Sequence, residues 1–211
     1  MYTGIVQQAC ELVSVEKKSN ISSISIRLGK ALMDDLVVGA SVGVDGVCLT
    51  VTALQDDCVE FDVMLATLEL TTLGACKAGD WVNVERSAKQ GVEVGGHILS
   101  GHVDIQARIV NIQAAENLQV VTYSVPAEKL RYIFDKGFIA LNGCSLTVLA
   151  VNRDAATFCV SFIPETLRVT THGAKGVGDH VNVEIDRQTQ VIVDTVTRLI
   201  QERGTDLGLP S

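Results

Sequence analysis

Two long stretches of this chain repeat one pattern, and the repeat limits the possible folds more than any other sequence feature. The matched segments are TGIV at 3–6 with SGHV at 100–103, VGVDGVCLTVTAL at 42–54 with IALNGCSLTVLAV at 139–151, and ATLELTTLGACKAGDWVNVE at 66–85 with ETLRVTTHGAKGVGDHVNVE at 165–184. The offset is 97 residues in the first two pairs and 99 in the third. Solenoid repeats are shorter and more numerous. The pattern predicts a duplication, with domains at residues 1–97 and 98–187.

Both copies have the composition of β-structure. Short runs rich in Val, Ile, Leu and Thr alternate with Gly, Asp and Asn. Asp45-Gly46 and Asn142-Gly143 are typical of two-residue hairpin turns with positive φ. About six short strands in each copy favour a small closed antiparallel barrel, because closure removes exposed strand edges. The predicted fold class is all-β, with two tandem six-stranded antiparallel barrels and a C-terminal α-helix.

Residues 188–211 form a tail that belongs to neither copy. Ile192, Val196 and Leu199 recur at the spacing of one helix face, and Gly204 is a candidate helix end. A single amphipathic helix after two barrels packs either on its own barrel or in a helical seam between copies of the chain. The pattern alone does not distinguish these two arrangements.

Composition excludes several classes of function. The net charge is −8, from 17 basic and 25 acidic residues, and there is no basic run that would neutralise nucleic-acid phosphates. No apolar run is long enough for a membrane span, and the N-terminus lacks the regions of a signal peptide. The six cysteines form no CxxC pair, and the four histidines are too scattered for a strong metal pattern. We expect a soluble cytoplasmic protein without a metal site.

The repeated strand has two chemically different faces. Strand alternation places Cys48 and Thr50 on one face and Leu49 on the other, and it separates Ser145 and Thr147 from Leu146 in the same way. A small barrel fills its interior with apolar side chains, so the thiol and hydroxyls should point outward. Small polar side chains on an outer face suit a flat polar ligand. The alternative is a solvated face without function, but recurrence of the motif favours a binding strand.

GGHILSGHV at 95–103 joins the two copies. Its adjacent glycines permit close backbone approach, and its histidines are acid–base groups near neutral pH. The segment is either an inter-domain linker with incidental histidines or part of a site.

Several motifs together resemble the riboflavin synthase family: MYTGIV, the two LTV motifs, GDWVNVER, GGHILSGH, IPETLRVTT and VNVEID. The resemblance extends from residue 1 to about residue 200. It implies Greek-key barrels and C-terminal helices that join three chains into a homotrimer. It also implies an active site between the N-terminal barrel of one chain and the C-terminal barrel of a neighbour. An association with lumazine synthase stays open.

The resemblance further implies a reaction. Two molecules of 6,7-dimethyl-8-ribityllumazine bind, one per barrel, and one transfers a four-carbon unit to the other. The products are riboflavin and a ribitylamino-pyrimidinedione. Neither a cofactor nor a metal is required. Two similar substrates with unequal roles would need two similar but unequal pockets, which accounts for a duplicated chain with Cys48 in one copy and Ser145 in the other.

The site residues implied by the resemblance fall into two groups. The pocket of the N-terminal barrel is expected to contain Gly4, Ile5, Val6, Cys48, Leu49, Thr50, Asp62, Val63, Met64, Leu65, Ala66 and Thr67. Ser41 is also expected to bind substrate. The pocket of the C-terminal barrel is expected to contain Gly101, His102, Val103, Lys136, Ser145, Leu146, Thr147, Ser161, Phe162, Ile163, Pro164, Glu165 and Thr166. His102 and Ser145 are expected to move or polarise protons, with Asp186 as a carboxylate partner and Cys48 as a nucleophile or a contact.

The chain departs from the family pattern at a few positions. Tyr2 stands where the family usually has Phe, and Leu65-Ala66 stands where it commonly has a charged Lys-Glu pair. The second change favours an alternative function, a non-catalytic paralogue that binds a lumazine or a flavin. A further alternative is an oligomeric structural module without a ligand.

Overall fold

The protein consists of two closed six-stranded antiparallel barrels followed by a long helix, which confirms the predicted fold class. The structure, a computed structural model, describes residues 1–206, and side chains as far as residue 202. The last part of the predicted tail, residues 207–211, lies outside the described residues. Within them, no helix is long and apolar enough to cross a membrane.

The two barrels have equivalent strands. The first contains β1 (Gln8–Lys17), β2 (Ile21–Arg27), β3 (Ser41–Val44), β4 (Val47–Gln55), β5 (Cys58–Met64) and β6 (Trp81–Arg86), closed in the order β1-β2-β5-β4-β3-β6. The second contains β7 (Ile105–Ala115), β8 (Leu118–Ser124), β9 (Phe138–Leu141), β10 (Cys144–Asn152), β11 (Thr157–Phe162) and β12 (His180–Ile185), closed in the order β10-β11-β8-β7-β12-β9.

Helices occupy the connections and the C-terminal end. The α-helices are α1 (Lys30–Met33), α2 (Leu65–Leu70), α3 (Ala127–Leu130), α4 (Pro164–Val169) and α5 (Arg187–Asp206), and 3₁₀ turns span Thr72–Ala75 and Thr171–Ala174. Helix α5 continues through Gly204, the residue predicted to end it.

The hairpins β3–β4 and β9–β10 bring the two barrels together. Asp45 and Gly46 have φ values of 45° and 79°, and Asn142 and Gly143 have 44° and 77°. Positive φ at both central residues is the geometry of a primed hairpin turn, as predicted. A Cβ atom on Gly46 would lie 2.7 Å from the backbone nitrogen of Gly143, so the turns contact each other through their glycines.

A buried polar network joins the barrels around these turns. Within each barrel, the backbone N–H of Asn83 donates to the Asp45 carboxylate at 2.8 Å, and that of Asn182 donates to the Asn142 side chain at 2.7 Å. Across the junction, the Asn83 side chain donates to the carbonyl of Asn142, and the Asn182 side chain donates to that of Asp45. All four residues are at most 4% exposed. Losing a hydrogen bond between buried groups is costly, so the two bonds across the junction favour one orientation of the barrels.

Helix α5 is anchored to the second barrel at its first turns. The Asp186 carboxylate accepts hydrogen bonds from the backbone N–H of Thr189 at 2.9 Å and from its hydroxyl at 2.6 Å, which caps the helix N-terminus. The side chain of Gln190, which is 8% exposed, donates to Asp104 at 3.0 Å. Arg131 contacts Asp194 from the same barrel.

Candidate active site

The repeated strands present their polar faces outward, as predicted. Leu49 and Leu146 are buried in the barrel cores, whereas Cys48 and Ser145 are partly exposed and Thr50 and Thr147 are exposed. Each barrel therefore carries a short row of small polar side chains on its surface, one beginning with a thiol and the other with a hydroxyl.

Two segments outside the barrels each contact the barrel of the other copy. We call residues 3–6 the first crossing segment and residues 100–103 the second crossing segment. The backbone N–H of Ser145 donates to the carbonyl of Gly4 at 2.8 Å, and that of Cys48 donates to the carbonyl of Gly101 at 2.9 Å. Val6 lies in the core of the second barrel, and Val103 packs on the core of the first. The first crossing segment thus bonds to β10 of the second barrel, and the second crossing segment bonds to β4 of the first barrel. We call β4 and β10 the site strands.

The predicted grouping of the pocket residues is therefore wrong. Residues 4–6 lie beside Ser145 rather than Cys48, and residues 101–103 lie beside Cys48 rather than Ser145. The duplication explains the error. Two equivalent copies offer equivalent docking strands, so the sequence cannot tell which strand each segment reaches.

Both crossing points require glycine. Gly4 has a φ of +74° and Gly101 a φ of +80°, a region that other residues rarely adopt. A Cβ atom would lie 2.5 Å from Cβ of Ser145 at position 4, and 2.6 Å from Cβ of Cys48 at position 101. The glycines let the backbone approach the site strand directly.

Two glutamates, which sequence reasoning missed, hold the crossing segments. Glu85 accepts hydrogen bonds from the backbone N–H groups of Thr3 at 2.6 Å and Gly4 at 3.1 Å. Glu184 accepts equivalent bonds from Ser100 at 2.7 Å and Gly101 at 3.0 Å. Burial raises the pKa of Glu85, and its hydrogen bonds with Thr3 and Gly4 oppose that shift. The sequence contained one signal for these glutamates, because both copies repeat the motif VNVE, which ends at Glu85 and at Glu184.

A cleft of about 260 Å³ lies beside the Cys48 strand. Its lining brings together residues from β4, α2 and the second crossing segment: Val47, Cys48, Ala66, Thr67, Leu70, Thr71, Gly101, His102 and Val103. Six of these nine belong to the predicted site set. His102 is exposed and Cys48 partly exposed, so an acid–base side chain and a thiol share one cleft.

Ser145 occupies in the second barrel the position that Cys48 occupies in the first, and its polar partner is His97. Nδ1 of His97 lies 2.6 Å from Oγ of Ser145, and the His97 ring stacks on Phe138 at a centroid distance of 4.9 Å. Burial lowers the pKa of His97, while the negative charge of Asp186 opposes that shift. A neutral imidazole can accept the Ser145 proton. His97 was not among the predicted site residues, although it lies in the GGHILSGHV segment.

Other predicted site residues have mixed positions. Val63 and Phe162 are buried in the barrel cores, so their side chains face away from a surface ligand. Asp186 caps α5 and lies close enough to His97 to affect its pKa. The remaining predicted residues are exposed or partly exposed on the barrel surfaces: Ile5, Ser41, Asp62, Met64, Leu65, Lys136, Ser161, Ile163, Pro164, Glu165 and Thr166.

Comparisons with known proteins agree with this architecture. The family model of the lumazine binding domain matches residues 3–87 and again residues 100–186. Riboflavin synthase of Escherichia coli strain K12 is 46% identical over 211 residues, which is 100% of this chain and 98% of that protein. Riboflavin synthase of Chlamydia pneumoniae is 44% identical over 206 residues, or 98% of this chain and 100% of that one.

The chain belongs to the riboflavin synthase family.

Solved structures extend the comparison to bound ligands. LumP in complex with 6,7-dimethyl-8-(1'-D-ribityl) lumazine has a TM-score of 0.79 and 25% identity, covering 88% of this chain and 99% of that one. LumP in complex with riboflavin has a TM-score of 0.80 and 27% identity over the same shares. The lumazine binding domain thus occurs twice in this member of the riboflavin synthase family, and the equivalent strands β4 and β10 differ chemically, with Cys48 in one and Ser145 in the other.

Proposed function

We infer that this protein is a riboflavin synthase, which converts two molecules of 6,7-dimethyl-8-ribityllumazine into riboflavin and a ribitylamino-pyrimidinedione by four-carbon transfer. One observation carries the inference: a single chain contains two equivalent site strands with unequal chemistry, Cys48 in one and Ser145 in the other. Two equivalent barrels can bind two molecules of the same compound. The different side chains, Cys48 and Ser145, can distinguish the molecule that donates the four-carbon unit from the one that accepts it.

The residues present can supply the chemistry of this reaction. The methyl group at C7 of the lumazine is acidic because its anion is delocalised into the heterocycle, so the protein must mainly orient two rings and move protons. Orientation contributes up to about 7–11 kcal/mol in favourable intramolecular reactions, and acid–base help about 10²–10⁴-fold. We assign proton transfer to His102 in the cleft of the first barrel and to the Ser145–His97 pair on the second.

The proposal includes assembly into a homotrimer. On one side of α5, Gln190 is buried against the second barrel, and the partly buried Thr197 bonds to the helix backbone. The other side of the helix is apolar. Its exposed residues, each 48–66% exposed, are Val191, Ile192, Val196, Leu199 and Ile200. An apolar stripe of this length on an anchored helix favours packing against the same helix of other copies. The proposal therefore combines the two arrangements that the sequence left open: α5 packs on its own barrel at its first turns and on other copies of the chain along its apolar side.

The proposal also includes a location in the cell and further assembly. The six cysteines, all within the described residues, are free thiols, which supports a reducing, cytoplasmic location. An active site shared between neighbouring chains and an association with lumazine synthase stay predictions from the resemblance.

A simple assay tests the function. Purified protein is mixed with 6,7-dimethyl-8-ribityllumazine, without any cofactor, and the absorbance of riboflavin is followed. We expect steady riboflavin formation, which Ser145→Ala should lower at least tenfold. Tight binding with a shifted spectrum but no riboflavin would replace the proposal by the non-catalytic paralogue. That alternative is not favoured, because identity with the riboflavin synthases is 46% and identity with LumP only 25–27%.

A further inference from the structure

The side chain of Tyr2 contacts Cys48, and the proton transfers assigned to His102 and to the Ser145–His97 pair do not involve this contact. Its hydroxyl donates a hydrogen bond to Sγ of Cys48 at 3.1 Å. Tyr2 is 2% exposed, so this bond is not formed in bulk solvent. Burial, followed by the hydrogen bond to Cys48, raises the pKa of Tyr2, so its hydroxyl keeps its proton and acts as a donor. The Cys48 sulfur is the acceptor.

The ring of Tyr2 is held firmly on all sides. Its backbone exchanges two hydrogen bonds with Leu99, at 2.9 and 3.0 Å, and its side chain clusters with Leu99 and Ala140. Two glycines flank the ring. A Cβ atom would lie 3.2 Å from Cε1 of Tyr2 at position 43 and 2.8 Å from Cε2 at position 101. A ring fixed in this way places its hydroxyl at one point, which is the sulfur of Cys48.

The equivalent position in the other copy shows that this contact is specific to the first site. Leu99 occupies the place of Tyr2 in the repeat, and Ala140 that of Gly43. Leucine has no donor, and Ser145 receives its polar partner from His97 instead. Each site strand therefore has one polar side chain held by one ring, a phenol for the thiol and an imidazole for the hydroxyl.

We propose that Tyr2 is a positioning residue, whose hydroxyl fixes the sulfur of Cys48 in the lining of the first-barrel cleft. The bond occupies one lone pair of the sulfur and limits rotation of the thiol, so Cys48 keeps one orientation towards a ligand in the cleft. An O–H donor also stabilises the negative charge on a thiolate. An effect of Tyr2 on riboflavin formation rests on the proposed function. The effect of Tyr2 on the orientation and reactivity of the Cys48 thiol does not depend on that function.

The variant Tyr2→Phe tests the proposal, because it keeps the ring and removes only the hydroxyl. We expect alkylation of Cys48 by iodoacetamide, followed by peptide mass spectrometry at fixed neutral pH, to slow about threefold. Cys58 and Cys159, which are partly exposed in other strands, should be unaffected and serve as internal standards. The control Tyr123→Phe, which removes a buried hydroxyl from the core of the second barrel, should leave Cys48 unchanged.

A double-mutant cycle separates positioning from general stability. Tyr2→Phe should lower kcat/KM for riboflavin formation about 3- to 10-fold in the native chain, and should have no further effect in a Cys48→Ala background. Gly43→Ala provides a second route, since it displaces the ring without removing the hydroxyl and should also slow Cys48 alkylation. Unchanged or faster alkylation in Tyr2→Phe, or an equal loss of kcat/KM in both backgrounds, would overturn the proposal. If the native protein forms no riboflavin, the proposed function fails, but the alkylation rates still decide the role of Tyr2.

Discussion

The carbonyl oxygen of Gly4 accepts a hydrogen bond from the backbone N–H of Ser145 at 2.8 Å, so the N-terminus of the first repeat completes the site strand of the second barrel. The reciprocal bond from Cys48 to Gly101 makes the exchange symmetric. In each barrel, the strand that carries Cys48 or Ser145 is thus bonded to a segment of the other copy.

Gly4→Ala should damage the site of the second barrel. The new Cβ atom would lie 2.5 Å from that of Ser145, and the φ of +74° adds strain of about 1–2 kcal/mol. We expect kcat/KM for riboflavin formation to fall at least tenfold. Gly79→Ala is the matched control, because Gly79 has a φ of +90° with nothing within 4 Å of its added Cβ. Equal losses in both variants would show that backbone strain, and not the Ser145 contact, is responsible.

Asp186→Asn should shift the titration of His97. Burial already lowers the pKa of His97 below its usual value, and the charge of Asp186 opposes that shift. Removing the charge should lower this pKa further, while Asn still caps α5. NMR of the His97 ring against pH measures the effect, with Asp154→Asn in an exposed turn as the control. A titration that stays in place, or moves to higher pH, contradicts the assignment.

Asp45→Asn should change how stability depends on pH. Burial raises the pKa of Asp45 to about 7, while its bond from Asn83 opposes the shift. The folded protein therefore holds a proton that the unfolded chain releases near pH 4, so stability falls as pH rises from about 4 to about 7. The variant copies Asn142 of the other barrel and should be more stable by about 1–3 kcal/mol above pH 7.

Urea unfolding at several pH values checks this expectation. Asp56→Asn is the control, because Asp56 also has positive φ, 49°, but lies in an exposed turn. An identical pH slope in the native chain and in Asp45→Asn would mean that the buried carboxyl does not govern this dependence.

Charges on the outer side of α5 should prevent assembly. The double variant Ile192→Lys, Leu199→Lys changes two residues that are 63% and 48% exposed, and leaves the anchors Gln190 and Asp194 intact. We expect a folded but monomeric protein by analytical ultracentrifugation, with riboflavin formation lost if the site is shared between chains. Arg198→Gln, on another side of the helix, is the control. A double variant that remains trimeric and active would refute the helical seam.

Much of the architecture could be predicted from particular residues. Asp45-Gly46 and Asn142-Gly143 marked the hairpins correctly, since only a turn with positive φ at both positions suits those pairs. Alternation in the repeated strands placed Leu49 and Leu146 inside and Cys48 and Ser145 outside, because a closed barrel has one apolar interior.

Other features depended on contacts between distant residues. Glu85 and Glu184 are site anchors only because the crossing segments reach them, and His97 has a role because its ring lies against Ser145. Tyr2 likewise bonds to a sulfur that lies 46 residues away in the chain.

The sequence by itself determined the duplication, the all-β class, the outward polar strands and the family, because these follow from local patterns that repeat within one chain. Tertiary structure alone decided which segment docks on which barrel and which ring holds each polar side chain. The physical reason is the near-equality of the two copies: their local preferences are the same, so only packing in three dimensions separates Gly4 beside Ser145 from Gly101 beside Cys48.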